Sequence, residues 1–175
     1  KKDDKLLPVR GKECSSEQMP VINQKFPTFN SFAKAELDEI LGQKIGTSVK
    51  YEVDIFSTVI FENKDGMMSI VNLPKEAQFS TVNSIIVEDI DADGIMDLII
   101  GGNRFDVEVE TTPADASPGY FLKGLGDLNF KAVSPSKSGL YIPYNVKDIE
   151  LLINVRGRKV LAVGSNDDML RFIDI

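Results

Sequence analysis

Between Asp89 and Asp97 the chain reads Asp89-Ile90-Asp91-Ala92-Asp93-Gly94-Ile95-Met96-Asp97, with carboxylates at the first, third, fifth and ninth positions and glycine at the sixth. When the backbone curls tightly, such carboxylates converge as oxygen donors, and the carbonyl of Ile95 at the seventh position adds another. Ca²⁺ takes about 6–8 oxygen ligands in flexible geometry, so Asp89, Asp91, Asp93, Ile95 and Asp97 nearly fill its shell and water completes it. Gly94 supplies the backbone freedom that the sharp turn needs. The same residue types also suit an ion-free surface hairpin. Aspartates this closely spaced repel one another without a counter-ion, which favours a bound cation.

The flanking residues decide what kind of loop this is. A helix–loop–helix calcium site needs a helix on each side and a bidentate acid at the twelfth position. That position is Ile100, inside the run Leu98-Ile99-Ile100, and upstream lies Val82-Asn83-Ser84-Ile85-Ile86-Val87. Short β-branched runs bounded by Asp and Gly read as strands. The acidic loop therefore joins the two strands of a hairpin.

At 175 residues with 42% hydrophobic content, the chain is long enough for a substantial core. A formal charge of −7 argues against a nucleic-acid partner, because a phosphate backbone needs clustered Lys and Arg. The one basic cluster, Arg156-Gly157-Arg158-Lys159, reads as a solvated hairpin tip. With no histidine, the chain lacks the usual general base and any Ser-His or Cys-His nucleophile pair. Cys14 is the only cysteine, so no intrachain disulfide forms, and with no histidine to activate it the thiol reads as inert. No apolar run approaches the roughly 20 residues that a membrane-spanning helix needs. The chain opens on Lys1-Lys2-Asp3-Asp4 with no initiator Met, and the expectation is that it belongs to something longer.

Two regions follow from the periodicity. Residues 1–48 are expected to form an extended segment broken by Pro8, Pro20 and Pro27, then one helix, capped by Asn30 or Ser31 and ended by Gly42. Its apolar stripe, Phe32, Ala33, Leu37, Ile40 and Leu41, is read as packing on a sheet. Residues 49–175 switch to strand periodicity, with strands expected at Val49–Val53, Ser57–Glu62, Met67–Val71, and around 84–88, 96–101, 119–123, 129–133, 147–153, 158–164 and 169–174.

These strands repeat. Val82–Val87 with Leu98–Asn103 resembles Val146–Leu151 with Leu161–Asn166, and both copies end in Gly-x-Asn. Val59-Ile60-Phe61-Glu62 with Lys64-Asp65-Gly66 is echoed by Tyr120-Phe121-Leu122-Lys123 with Gly126-Asp127-Leu128-Asn129-Phe130. A spacing of about 60 residues and short strands point to propeller or solenoid units. The second copy carries Asn154-Val155-Arg156-Gly157-Arg158-Lys159 where the first has its aspartates, so calcium is a local feature of one hairpin.

The D-x-D-x-D-G-x-x-D loop, the apolar strand after it and the turn Gly124–Phe130 resemble the FG-GAP/VCBS repeat family of integrin-α-type β-propellers, over roughly residues 56–175. The segments Pro8–Ser16 and Lys25–Phe29 resemble the C-terminal part of exported VCBS/ASPIC-UnbV-type repeat proteins of Bacteroidetes. The resemblance implies a mainly β fold, a partial β-propeller of about two to three antiparallel blades with one N-terminal helix. It also implies calcium held by Asp89, Asp91, Asp93, Asp97 and the Ile95 carbonyl, and an extracytoplasmic location. The expected role is non-catalytic: a calcium-binding module at the cell surface or outside the cell, for protein or glycan binding or scaffolding, beside further blades of a parent chain. The alternative is a carboxylate-based glycoside hydrolase or an accessory domain of one, with Glu108, Glu110 and Asp115 as candidate acids.

Overall fold

Proline placement shapes the first of two compact units, Lys1–Asp54; the second is Ile55–Ile175. The computed structural model describes residues 5–109 and 111–175. In place of the single expected helix, the first unit holds four short ones: α1 (Lys12–Gln18), α2 (Val21–Lys25), α3 (Phe29–Lys34) and α4 (Leu37–Leu41), followed by a 3₁₀ turn over Gly42–Thr47. Val21 and Ile22, expected as an extended stretch, are helical. α1 stops ahead of Pro20, and α2 stops at Phe26, whose φ of −125° is the extended conformation that a following proline imposes.

The stripe read as one helix over 31–41 is interrupted at Ala35, with φ −73° and ψ 139°. Local capping explains the break. Thr28, rather than Asn30 or Ser31, caps α3 by accepting the Ser31 N–H at 3.1 Å, and Glu39 reaches back to the Glu36 N–H at 2.9 Å to start α4 afresh. Gly42 ends α4 as expected, at φ 56°. Phe32, Ala35, Ile40 and Ile22 are buried together, with Met19 and Phe26 against them, so the apolar stripe is covered from within its own unit. Ala33 faces solvent.

Among the described residues of the second unit, nine strands form three antiparallel sheets, none closed into a barrel. β1 (Val59–Lys64) and β2 (Met67–Asn72) are a hairpin. β3 (Val82–Glu88), β4 (Asp97–Gly102), β5 (Tyr120–Gly124) and β6 (Phe130–Val133) form a meander in that order, and β7 (Val146–Ile153), β8 (Lys159–Ser165) and β9 (Arg171–Asp174) form a third sheet. The strand expected at Val49–Val53 is absent; alternation alone does not make a strand without a neighbour to bond. The whole of β4 is buried. Leu98, Ile100, Tyr120 and Leu122 pack with Leu73 and Ala77 on one face of the meander, while Ile99 on the other packs with Val146, Ile149, Leu161 and Val163 of the third sheet.

The two hairpins are copies at the level of hydrogen bonding. Val82 faces Gly102 and Ser84 faces Gly101, with Asn83 bulged; Val146 faces Ser165 and Asp148 faces Gly164, with Lys147 bulged. The copies also bond to each other through equivalent residues. Ser84 Oγ donates to Asp148 Oδ1 at 3.0 Å and accepts the Ile149 N–H at 2.9 Å.

Candidate metal centre

The acidic loop joins β3 to β4, as the flanking residues require, and two left-handed residues curl it: Ala92 at φ 60° and Gly94 at φ 87°. The first aspartate organises the turn. Asp89 Oδ1 accepts the Asp93 N–H at 3.1 Å and Oδ2 accepts the Gly94 N–H at 2.9 Å. The last aspartate anchors the loop to the sheet. Asp97 is fully buried, with Oδ2 accepting the Ile90 N–H at 3.0 Å and Oδ1 accepting the Gly124 N–H of β5 at 2.8 Å. Gly124 must be glycine for this approach, since a Cβ there would stand 2.2 Å from the Met96 carbonyl oxygen.

Asp89, Asp91 and Asp97 each offer a carboxylate oxygen, and these oxygens lie within 4.8 Å of one another. Three hard oxygen donors at that separation can hold a metal ion. Asp93 stands outside this group. Its Oδ2 is paired with the Lys123 ammonium at 2.7 Å, and its Oδ1 accepts the Ile95 N–H at 2.9 Å. Lys123 also bonds Asp91 Oδ2, so a single cation from β5 bridges the third and fifth positions of the loop. The Lys123 hydrogen bond holds the Asp93 carboxyl below the usual range, and hydrogen bonds to Asp91 and Asp93 raise the Lys123 pKa.

Lys123 is the functional residue that sequence reasoning missed. The counter-ion that the aspartates demand is supplied in part by the protein itself. Its position was legible only as an inward or outward choice on β5; its facing the loop follows from the pairing of β4 with β5, Leu98 opposite Leu122. Lys159 was also misread as part of a solvated tip: its ammonium bonds Glu88 Oε1 and the Asp89 carbonyl, each at 2.9 Å, tying the second hairpin to the base of the acidic loop.

Of the acids offered for a hydrolase, two are described. Glu108 and Asp115 are exposed, and Glu110 lies outside the described residues. The loop that carries them instead contributes Phe105 and Asp106 to a recess shared with Tyr144, Asn145, Asn166 and Asp167. Among the described residues no helix is long and apolar enough to cross a membrane. Comparison with protein-family models, with curated proteins and with solved structures finds no match to this chain.

Proposed function

We propose that Ile55–Ile175 is a calcium-stapled β-repeat module, a partial propeller of the FG-GAP/VCBS kind, that serves binding or scaffolding in an exported or cell-surface protein. The observation that carries this reading is the convergence of Asp89, Asp91 and Asp97 at the mouth of one hairpin, whose copy, with no acid in its turn, has a matching register and bulge. A metal loop added to a hairpin that already has a stable form is a staple and a positioning device, not a reaction centre. Calcium suits the site better than magnesium, because Ca²⁺ accepts an irregular shell of about 6–8 oxygens, whereas Mg²⁺ demands tight octahedral geometry. Asp89, Asp91 and Asp97 would hold the ion. Lys123 would compete with it for Asp91.

The meander β3–β6 has the strand number and connectivity of one propeller blade, and β7–β9 repeats its first three strands. The extracytoplasmic setting rests on the family resemblance. Absence of histidine and the lowered pKa of Asp106 and Asp168, held down by hydrogen bonds from Asn145 and Arg171 respectively, fit acceptors better than general acids.

Thermal unfolding in calcium, magnesium and chelator tests the reading. The midpoint is expected to rise in calcium, little in magnesium, and not at all in the Asp91→Ala/Asp93→Ala double variant. A ligand that binds only the folded state adds about 2.7 kcal/mol at a hundred times its dissociation constant. Identical melting of the wild type in calcium and chelator overturns the proposal.

A further inference from the structure

A recess of about 420 Å³ opens in the second unit where the residues after β4 meet those after β8. Its origin lies in the repeat. Asn103 and Asn166 follow equivalent strands, and each donates its backbone N–H to the residue preceding the partner strand, Asn103 to the Thr81 carbonyl and Asn166 to the Asn145 carbonyl. In the first copy the long connection to β5 folds back over the corner. Ser117 accepts from the Asn103 side chain at 2.8 Å and donates to it at 3.0 Å, leaving Asn103 fully buried. In the second copy the chain turns at once through Asp167, at φ 53°, into β9. The corner is uncovered, and Asn166 is exposed.

What the open corner offers is acceptors. Asn145, only 5% exposed, donates its Nδ2 to Asp106 Oδ1 at 2.9 Å, while its own Oδ1 finds no donor among the described residues. Leaving a buried acceptor unpaired is costly, so a donor from outside the chain is favoured there. Among the described residues, Asp167 receives one long side-chain hydrogen bond, 3.4 Å, from Asn166. The remaining charges are already matched. Lys147 lies 3.5 Å from Asp106, and Arg171 holds Asp168 at 2.8 and 2.9 Å while stacking 3.8 Å from the Tyr144 ring centre. An incoming cation would find two of the three carboxylates taken. Beside the acceptors stands Phe105, 46% exposed, a flat apolar surface in a polar setting.

Hydroxyl donors beside an apolar ring face describe a sugar. We infer that this recess binds a neutral saccharide, with the Phe105 ring against one face of the sugar and Asn145, Asn166 and Asp167 accepting its hydroxyls. The inference rests on the binding-module reading and names its ligand class and site.

Saturation-transfer NMR on the full chain tests it, with the methyl glycosides of glucose, galactose and mannose as probes and lysine methyl ester as the cationic comparator. At least one glycoside is expected to bind at millimolar concentration, independently of added salt, because neutral ligands are not screened. Its Kd is expected to rise about tenfold or more in Phe105→Ala and in Asn166→Ala, both exposed positions, with Asp167→Asn as a third variant should either fail to fold. No glycoside binding, binding unchanged in these variants, or salt-sensitive binding of the lysine ester alone overturns the inference. A calcium shift in melting without glycoside binding removes this assignment and spares the calcium module; glycoside binding without a calcium shift does the reverse.

Discussion

Asp97 Oδ1 accepts the Gly124 N–H at 2.8 Å, joining the last residue of the acidic loop to the neighbouring strand β5. The same carboxylate holds the Ile90 N–H at 3.0 Å from the loop's other end. Asp97 is therefore a structural acceptor as well as a candidate metal donor, and the two roles separate experimentally. Asp97→Ala strands two backbone donors, and hydrogen bonds to charged groups are worth about 1.5–3 kcal/mol each. The expected loss is roughly 3 kcal/mol or more in urea unfolding with chelator present. A loss seen only in calcium would show that the carboxylate matters through metal alone.

Lys123 and a divalent ion held by Asp89, Asp91 and Asp97 would share the Asp91 carboxylate. Lys123→Met is expected to lower the melting midpoint in chelator, where Asp91 and Asp93 lose the cation they share, and to tighten calcium binding measured by calorimetry. Weaker calcium binding in the variant would mean that Lys123 helps to shape the site rather than compete for it.

The same pair predicts a pH dependence without metal. The folded pKa of Asp93 lies below its ordinary 3.8, so its contribution to stability is present above that pH and is lost as pH falls through the folded value. That of Lys123 lies above 10.5, so its contribution is complete below pH 10.5 and is lost as pH rises through the folded value. Urea midpoints in chelator should decline at both extremes, and Lys123→Met should flatten both declines relative to the wild type. Unchanged profiles in the variant would remove the ion pair from the stability of the loop.

Ile40 is 8% exposed in the apolar cluster of the first unit. Truncation to Ala is expected to cost about 2–5 kcal/mol in chemical unfolding, the range for buried aliphatic side chains. A change under about 0.5 kcal/mol would place that face in solvent.

Strand identity in residues 55–175 was legible because β-branched runs and turn residues act locally: Asp65-Gly66 turns β1 into β2 with both residues at positive φ, and each of the nine strands lies within a few residues of its expected place. The repeat was legible too, down to a register that the hydrogen bonds reproduce. The first unit was less so. Apolar spacing over Phe32–Leu41 fits a continuous helix, but the caps at Thr28 and Glu36 favour two short ones, and the spacing does not encode that choice.

The sequence by itself marked the acidic segment, because carboxylate spacing and Gly94 are properties of one short stretch; of its five expected donors, the structure brings Asp89, Asp91 and Asp97 together. Only the tertiary structure decided how those acids are shared. Lys123 reaches Asp91 and Asp93 across the β4–β5 pairing, and Lys159 reaches Glu88 from the other copy of the hairpin. Both contacts join residues far apart in the chain, and register and sheet stacking, rather than local pattern, bring them together. The open corner at Asn166 also depends on the fold: Asn166 resembles Asn103 in sequence, but the long connection after Asn103 folds back to bury it through Ser117, whereas the short turn after Asn166 leaves that residue exposed.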